Sequence, residues 1–131
     1  MAGQQLQAAA EAGADALTVC NTLIGMLVDW RQRRPLLANG TGGMSGPAVK
    51  PVAMRMVSQC AAVVDIPIVA SGGASNADDV LEFIVAGATA VQIGTAVFTN
   101  PAIISQIAND LRSTLAAENL TLAELRGSLK L

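Results

Sequence analysis

Two short apolar runs in this chain end in small residues whose backbone could hold an anion. One is Pro67-Ile-Val-Ala-Ser-Gly-Gly-Ala-Ser-Asn, where Ser71, Gly72 and Gly73 close the run; the other is Ala90-Val-Gln-Ile-Gly-Thr-Ala, closed by Gly94 and Thr95. Glycine at a strand end lets backbone N–H groups approach a ligand with no Cβ in the way. Ser75 and Asn76 then open a helical pattern, with Ser75 expected as its N-cap, and the positive end of that helix would add to the attraction for a phosphate. Ser71-Gly-Gly alone is a common turn, and Gly94-Thr95 alone is a weaker signal still. At two successive strand ends they form a specific signal for a phosphate cradle.

The elements that must carry these loops read as alternating helix and strand. Gln4 to Ala12 is expected as a helix stopped by Gly13, followed by a strand from Ala16 to Cys20. A long excursion from Thr22 to Lys50 reads as an inserted hairpin, Met26–Asp29 against Pro35–Ala38, and then a glycine-rich loop, Asn39–Gly46. Helical spacing returns over Val49–Val63, then a strand over Ile66–Ala70 and a helix over Ser75–Ala86 that stops at Gly87. A third strand is expected over Ala90–Gly94, a helix from Pro101 to about Asn119, and a last helix over Leu122–Leu129 capped by Thr121. An internal repeat supports the scheme: Ala12-Gly-Ala-Asp-Ala-Leu-Thr-Val aligns with Ala86-Gly-Ala-Thr-Ala-Val-Gln-Ile, which makes Asn21 and Thr95 equivalent positions past their strands.

Strand-end loops that bind phosphate are a property of (β/α)8 barrels, whose active sites collect at the C-terminal face of the strands. The expected fold class is therefore α/β, and residues 1–131 form one region: the C-terminal part of a TIM barrel, about three β/α units plus C-terminal helices. Three units cannot close a barrel, which takes about 250 residues. An open three-stranded sheet would also leave both edges bare, so a fragment of a longer protein is expected.

Composition narrows the function classes. The chain has no histidine, which removes Ser-His-Asp and Cys-His machinery and the commonest zinc ligand, so no metal site is expected. Cys20 and Cys60 form no CxxC pair and are read as reduced thiols of a cytoplasmic protein. With a net charge of −2 and a single basic cluster, Arg31–Arg34, that is read as a solvated turn, no nucleic-acid partner is expected. The uncharged stretches after Phe83 are divided by Gly87, Gly94 and Asn100-Pro101, and the first residues lack a basic, then apolar, leader pattern; neither a membrane span nor a signal peptide is expected. Met44, Met54 and Met56 read as core filling. Asp78 and Asp79 read as partners of a helix dipole, and Asn21 by itself could merely cap its loop.

Four motifs together carry a family resemblance: Asn21-Thr-Leu-Ile-Gly-Met, Ala38-Asn-Gly-Thr-Gly-Gly-Met-Ser-Gly-Pro-Ala-Val-Lys-Pro-Val-Ala-Met-Arg-Met-Val, Ser71-Gly-Gly, and Gln92-Ile-Gly-Thr-Ala. In this order and spacing the chain from Ala12 to Leu131 resembles the C-terminal part of class 1 dihydroorotate dehydrogenases, in particular the NAD-linked type 1B catalytic subunit. The resemblance implies an FMN-containing barrel that oxidises (S)-dihydroorotate to orotate in pyrimidine biosynthesis. It implies that Cys20 lies against the flavin through its backbone and that Asn21 and Thr22 contact the substrate. It also implies that Gly46 approaches the flavin and that Gly72, Gly73, Gly94 and Thr95 hold the FMN phosphate.

In that family the catalytic base is a cysteine on a loop upstream of the matched region, so no catalytic residue is assigned in this chain. Cys20 matches a flavin contact and has no basic neighbour in sequence that would activate it. The resemblance further implies a partner subunit carrying FAD and a [2Fe–2S] cluster, in a heterotetramer, with NAD as final acceptor; no cysteine pattern for the cluster is present here. Two alternatives stand beside it: a related FMN oxidoreductase of the dihydropyrimidine dehydrogenase type, and a truncated, catalytically inactive fragment.

Overall fold

The computed structural model describes residues 2–130. Helix α1 (Ala2–Glu11) ends at a glycine, Gly13, whose φ of +93° lets the chain reverse into strand β1 (Leu17–Val19). Two nested hairpins follow: β2 (Leu23–Gly25), β3 (Val28–Asp29), β4 (Arg34–Pro35) and β5 (Gly42–Met44), with β3 paired to β4 inside and β2 to β5 outside. A single 3-10 turn (Pro47–Val49) runs into α2 (Lys50–Ala61), then β6 (Ile68–Ser71), α3 (Ala77–Val85) and β7 (Ala90–Gln92). The chain closes with α4 (Thr95–Thr99), α5 (Ile103–Glu118) and α6 (Leu122–Leu125).

The main sheet is parallel in the order β1-β6-β7, with Val19 beside Ala70 and Ser71 beside Gln92. Side chains alternate across it, as strand geometry requires. Val19, Ile68 and Ala70 are buried with Val57, Phe83 and Cys60. The opposite face, at Thr18, Val69 and Ala90, is exposed or half-buried. A second cluster, Val80, Ile84 and Ile107, seats α5 on α3. Thus one face of the sheet carries helices, while the other face and the outer edges of β1 and β7 meet no strand among the described residues. No described helix is long and apolar enough to cross a membrane.

Several boundaries differ from expectation, each for a local reason. The expected hairpin forms, but its strands shrink to two residues each. At its tip Asp29 Oδ1 accepts from the N–H groups of Arg31 and Gln32 at 2.9 and 3.0 Å, and the Arg31 guanidinium lies 4.3 Å from the Trp30 ring centre. The glycine-rich loop, by contrast, contributes strand β5, paired with β2, a strand outside the expected hairpin. The N-cap of α3 is Asn76, whose Oδ1 accepts from Asp79 N at 2.9 Å, and not Ser75.

Between β7 and the long helix lies a further short helix, α4, in a stretch with no expected element. The long helix starts at Ile103 and not Pro101, after Asn100 Oδ1 takes the Ala102 N–H at 3.1 Å. The last helix ends at Leu125 and not Leu129, because the tail turns back: Gly127 N donates to Ile84 O at 3.0 Å and Leu129 N to Val85 O at 3.2 Å. Those carbonyls belong to the last turn of α3, where Ile84 O also accepts from Gly87 N at 3.0 Å, so the tail adds donors at the helix end.

Candidate functional site

Parallel strands put their C-terminal ends on one side of the sheet, and the excursion folds over that side. Residues Cys20–Leu23 leave β1, Ser71–Gly73 leave β6, Gly94–Thr95 leave β7, and Met44–Gly46 arrive from the excursion; together they line one cleft of about 190 Å³. All eight residues singled out in the sequence line it: Cys20, Asn21, Thr22, Gly46, Gly72, Gly73, Gly94 and Thr95. A second concavity of about 240 Å³ shares Gly46, Gly73, Gly94 and Thr95 with the first and extends to Ser75, Ala96 and Thr99. Among the described residues, no lysine or arginine lines either space.

The glycines there serve different purposes. A Cβ on Gly73 would stand 2.8 Å from Gly46 O and from Lys50 N, with the backbone at φ +83°. On Gly72 it would stand 2.8 Å from the Ala53 methyl. Both glycines therefore let the β6 turn pack on the start of α2, which corrects the simpler expectation that the missing Cβ of Gly73 only makes room for an anion. At Gly94, by contrast, a Cβ would meet no atom within 4 Å, so packing among the described residues does not demand a glycine there.

The expected contribution of the α3 dipole also needs correction. Besides the Asn76 cap, the Asp79 carboxylate accepts from Ser75 N at 2.8 Å and Ser75 Oγ at 2.9 Å, so the helix's own side chains occupy its N-terminus. Burial would push the Asp79 carboxyl up, but hydrogen bonds from Lys50 and Ser75 outweigh it and hold the group below the usual carboxylate range. Lys50 is correspondingly raised, first by its hydrogen bond to Asp79 and then by that to Glu82. Backbone donors remain on the other side of the cleft, where Thr95 and Ala96 begin α4 and helical geometry leaves their N–H groups without an intrahelical acceptor.

At the β1 end, the Val19–Cys20 peptide is cis, and Cys20 N donates to Ser71 O at 3.0 Å. Asn21 Oδ1 accepts from Thr22 N at 2.8 Å, so the loop-capping possibility is realised, and its side-chain amide has no protein partner among the described residues. The Thr22 methyl packs against Gly43. Burial is the main cause that raises the Cys60 thiol, which lies in the core. Sequence reasoning missed Leu23, Ser45 and Val49 as lining residues, and Met44 lines the cleft at 45% exposure instead of filling the core. Met54 and Met56 pack against the core as expected. The signal for Met44 and Ser45 lay in the glycine-rich motif that contains them.

The profile of the family described as Dihydroorotate dehydrogenase matches residues 2–115. The dihydroorotate dehydrogenase B (NAD(+)) catalytic subunit of Trichlorobacter lovleyi is 53% identical over 128 residues, 97% of this chain and 42% of that protein. The corresponding subunit of Bacillus pumilus is 57% identical over 111 residues, 85% of this chain and 36% of that protein. The crystal structure of DHODH from Eimeria tenella in complex with ferulenol matches the fold with a TM-score of 0.78 at 27% identity, over 97% of this chain and 34% of that one. The chain thus spans about two fifths of the length of the curated relatives it matches over most of its own length. The three parallel β/α units are a portion of a TIM barrel, and the chain belongs to the dihydroorotate dehydrogenase family.

Proposed function

We propose that this chain forms the C-terminal part of an FMN-dependent dehydrogenase that oxidises (S)-dihydroorotate to orotate. The observation that carries the reading is the convergence of four separate segments, with all eight candidate residues, on one cleft at the strand ends. The cleft suits a phosphate-bearing cofactor: the space a Cβ would take at Gly94 is open, and backbone N–H groups of α4 begin beside it. Among the described residues no cationic side chain lines the cleft, so backbone donors and neutral side-chain donors, the Thr95 hydroxyl among them, are the groups available to an anion.

In this reading Gly72, Gly73, Gly94 and Thr95 hold the phosphate, while Cys20 and Gly46 lie against the flavin. Bound FMN would supply a hydride acceptor. Asn21 and Thr22 orient the substrate; the free amide of Asn21 is a donor suited to a carboxylate or imide oxygen. The proton-removing cysteine belongs to a part of the complete protein outside this chain.

The relatives' designation as catalytic subunits supports a partner subunit. We assign to that partner the FAD and [2Fe–2S] cluster that pass electrons to NAD. Two free cysteines support a reducing compartment such as the cytoplasm. The test is flavin reduction: the complete protein carrying this segment should bind FMN, and anaerobic dihydroorotate should bleach its absorbance. A protein that binds FMN but is not reduced by dihydroorotate would overturn the substrate assignment.

A further inference from the structure

We propose that Lys50 is a positioning residue that clamps the two glycine walls of the cleft together through Asp79, and that FMN affinity depends on this clamp. The proposal rests on the flavin reading above. Lys50 is the first residue of α2, four positions after Gly46. Its ammonium donates to Asp79 Oδ1 at 2.5 Å and to Glu82 Oε2 at 2.7 Å. The other oxygen of Asp79 accepts from Ser75 N at 2.8 Å and Ser75 Oγ at 2.9 Å. Ser75 in turn directly follows the Gly72-Gly73-Ala74 turn.

These bonds close a circuit. Gly46 and Lys50 meet Gly73 backbone to backbone, since a Cβ on Gly73 would stand 2.8 Å from both Gly46 O and Lys50 N. Lys50, Asp79 and Ser75 tie the same two segments from behind. The Asp79 side chain is only 8% exposed and the outer partner Glu82 is 53% exposed, so Asp79 is the anchor and Glu82 an accessory. Neither Lys50 nor Asp79 lines the cleft, so the pair can act on a ligand only through the backbone it holds. A buried carboxylate with both oxygens engaged fixes geometry more tightly than apolar contact does, because each bond has a preferred direction.

The test uses the complete FMN-binding protein that carries this segment and three variants: Lys50→Met, Lys50→Arg, and the double variant Lys50→Met with Asp79→Asn. The double variant leaves no orphaned buried charge and so preserves folding where Lys50→Met alone does not. FMN affinity is read by flavin fluorescence, the KM for dihydroorotate at saturating FMN, and the loop itself by hydrogen exchange of the Gly72–Ser75 amides. The expected result is an FMN Kd raised about tenfold or more in the double variant, with exchange about tenfold faster. KM should move less than Kd, and Lys50→Arg should restore most of the affinity. A folded double variant with parental FMN affinity and parental exchange overturns the clamp. A parent protein that binds no FMN instead overturns the flavin reading and the dependence built on it, so the two failures are distinct.

Discussion

Replacing Gly73 and Gly94 by alanine separates the structural role of one strand-end glycine from the ligand-facing role of the other. At Gly73 the backbone has φ +83° and the new methyl would stand 2.8 Å from Gly46 O and Lys50 N, both backbone atoms that cannot swing aside. The left-handed backbone costs about 1–2 kcal/mol. The forced displacement costs about 1–3 kcal/mol. Together the substitution should destabilise the flavin-free protein by about 2–5 kcal/mol. In a barrel-sized domain, at about 2–4 °C per kcal/mol, that lowers the melting temperature by about 4–20 °C. At Gly94 the methyl enters open space, so the flavin-free protein should melt within about 2 °C of the parent. FMN should nevertheless bind about tenfold or more weakly to that variant, because the methyl occupies the approach to the α4 donors. Thermal unfolding without flavin, followed by fluorescence titration with FMN, reads both. An unchanged melting temperature for Gly73→Ala, or an unchanged FMN affinity for Gly94→Ala, would refute the division of roles.

Two further outcomes are expected. Asn21→Ala should lower kcat/KM for dihydroorotate by about 1–3 kcal/mol, from an unpaired substrate group, with flavin content preserved; steady-state kinetics on flavin-loaded protein checks it, and normal kcat/KM rejects the contact. Asp79 has a folded pKa below its ordinary 3.8, so its charged form stabilises the fold above that value and the contribution fades as pH falls through the lower folded pKa. The melting-temperature advantage of the parent over Asp79→Asn should therefore hold at neutral pH and shrink in acid. An advantage that persisted or grew in acid would contradict the Lys50–Asp79 assignment.

The β/α units were legible because their stops are local: Gly13 and Gly87 both sit at positive φ just past helix ends, as the internal repeat implied. The convergence of strand ends followed from parallel topology, which short apolar strands separated by helices require. What escaped depends on partners distant in sequence or on competition between neighbours. Gly42 and Gly43 are poor strand formers, and only pairing with Leu23–Gly25 makes them one. Ser75 and Asn76 are both good caps; Asp79 decides between them by taking Ser75 for itself. The Lys50–Asp79 bond spans 29 positions and has no periodic signature. Gly72 and Gly73 were correctly singled out for their lack of a Cβ, but the atoms that demand it lie on α2 or just before it.

The most direct test of the central claim is a crystal structure of the complete protein with FMN bound. The account predicts phosphate oxygens at about 2.7–3.2 Å from backbone nitrogens of both the Gly72–Ala74 turn and the Gly94–Ala96 segment. A phosphate bound elsewhere, or held by side-chain cations with neither backbone segment in reach, would contradict it.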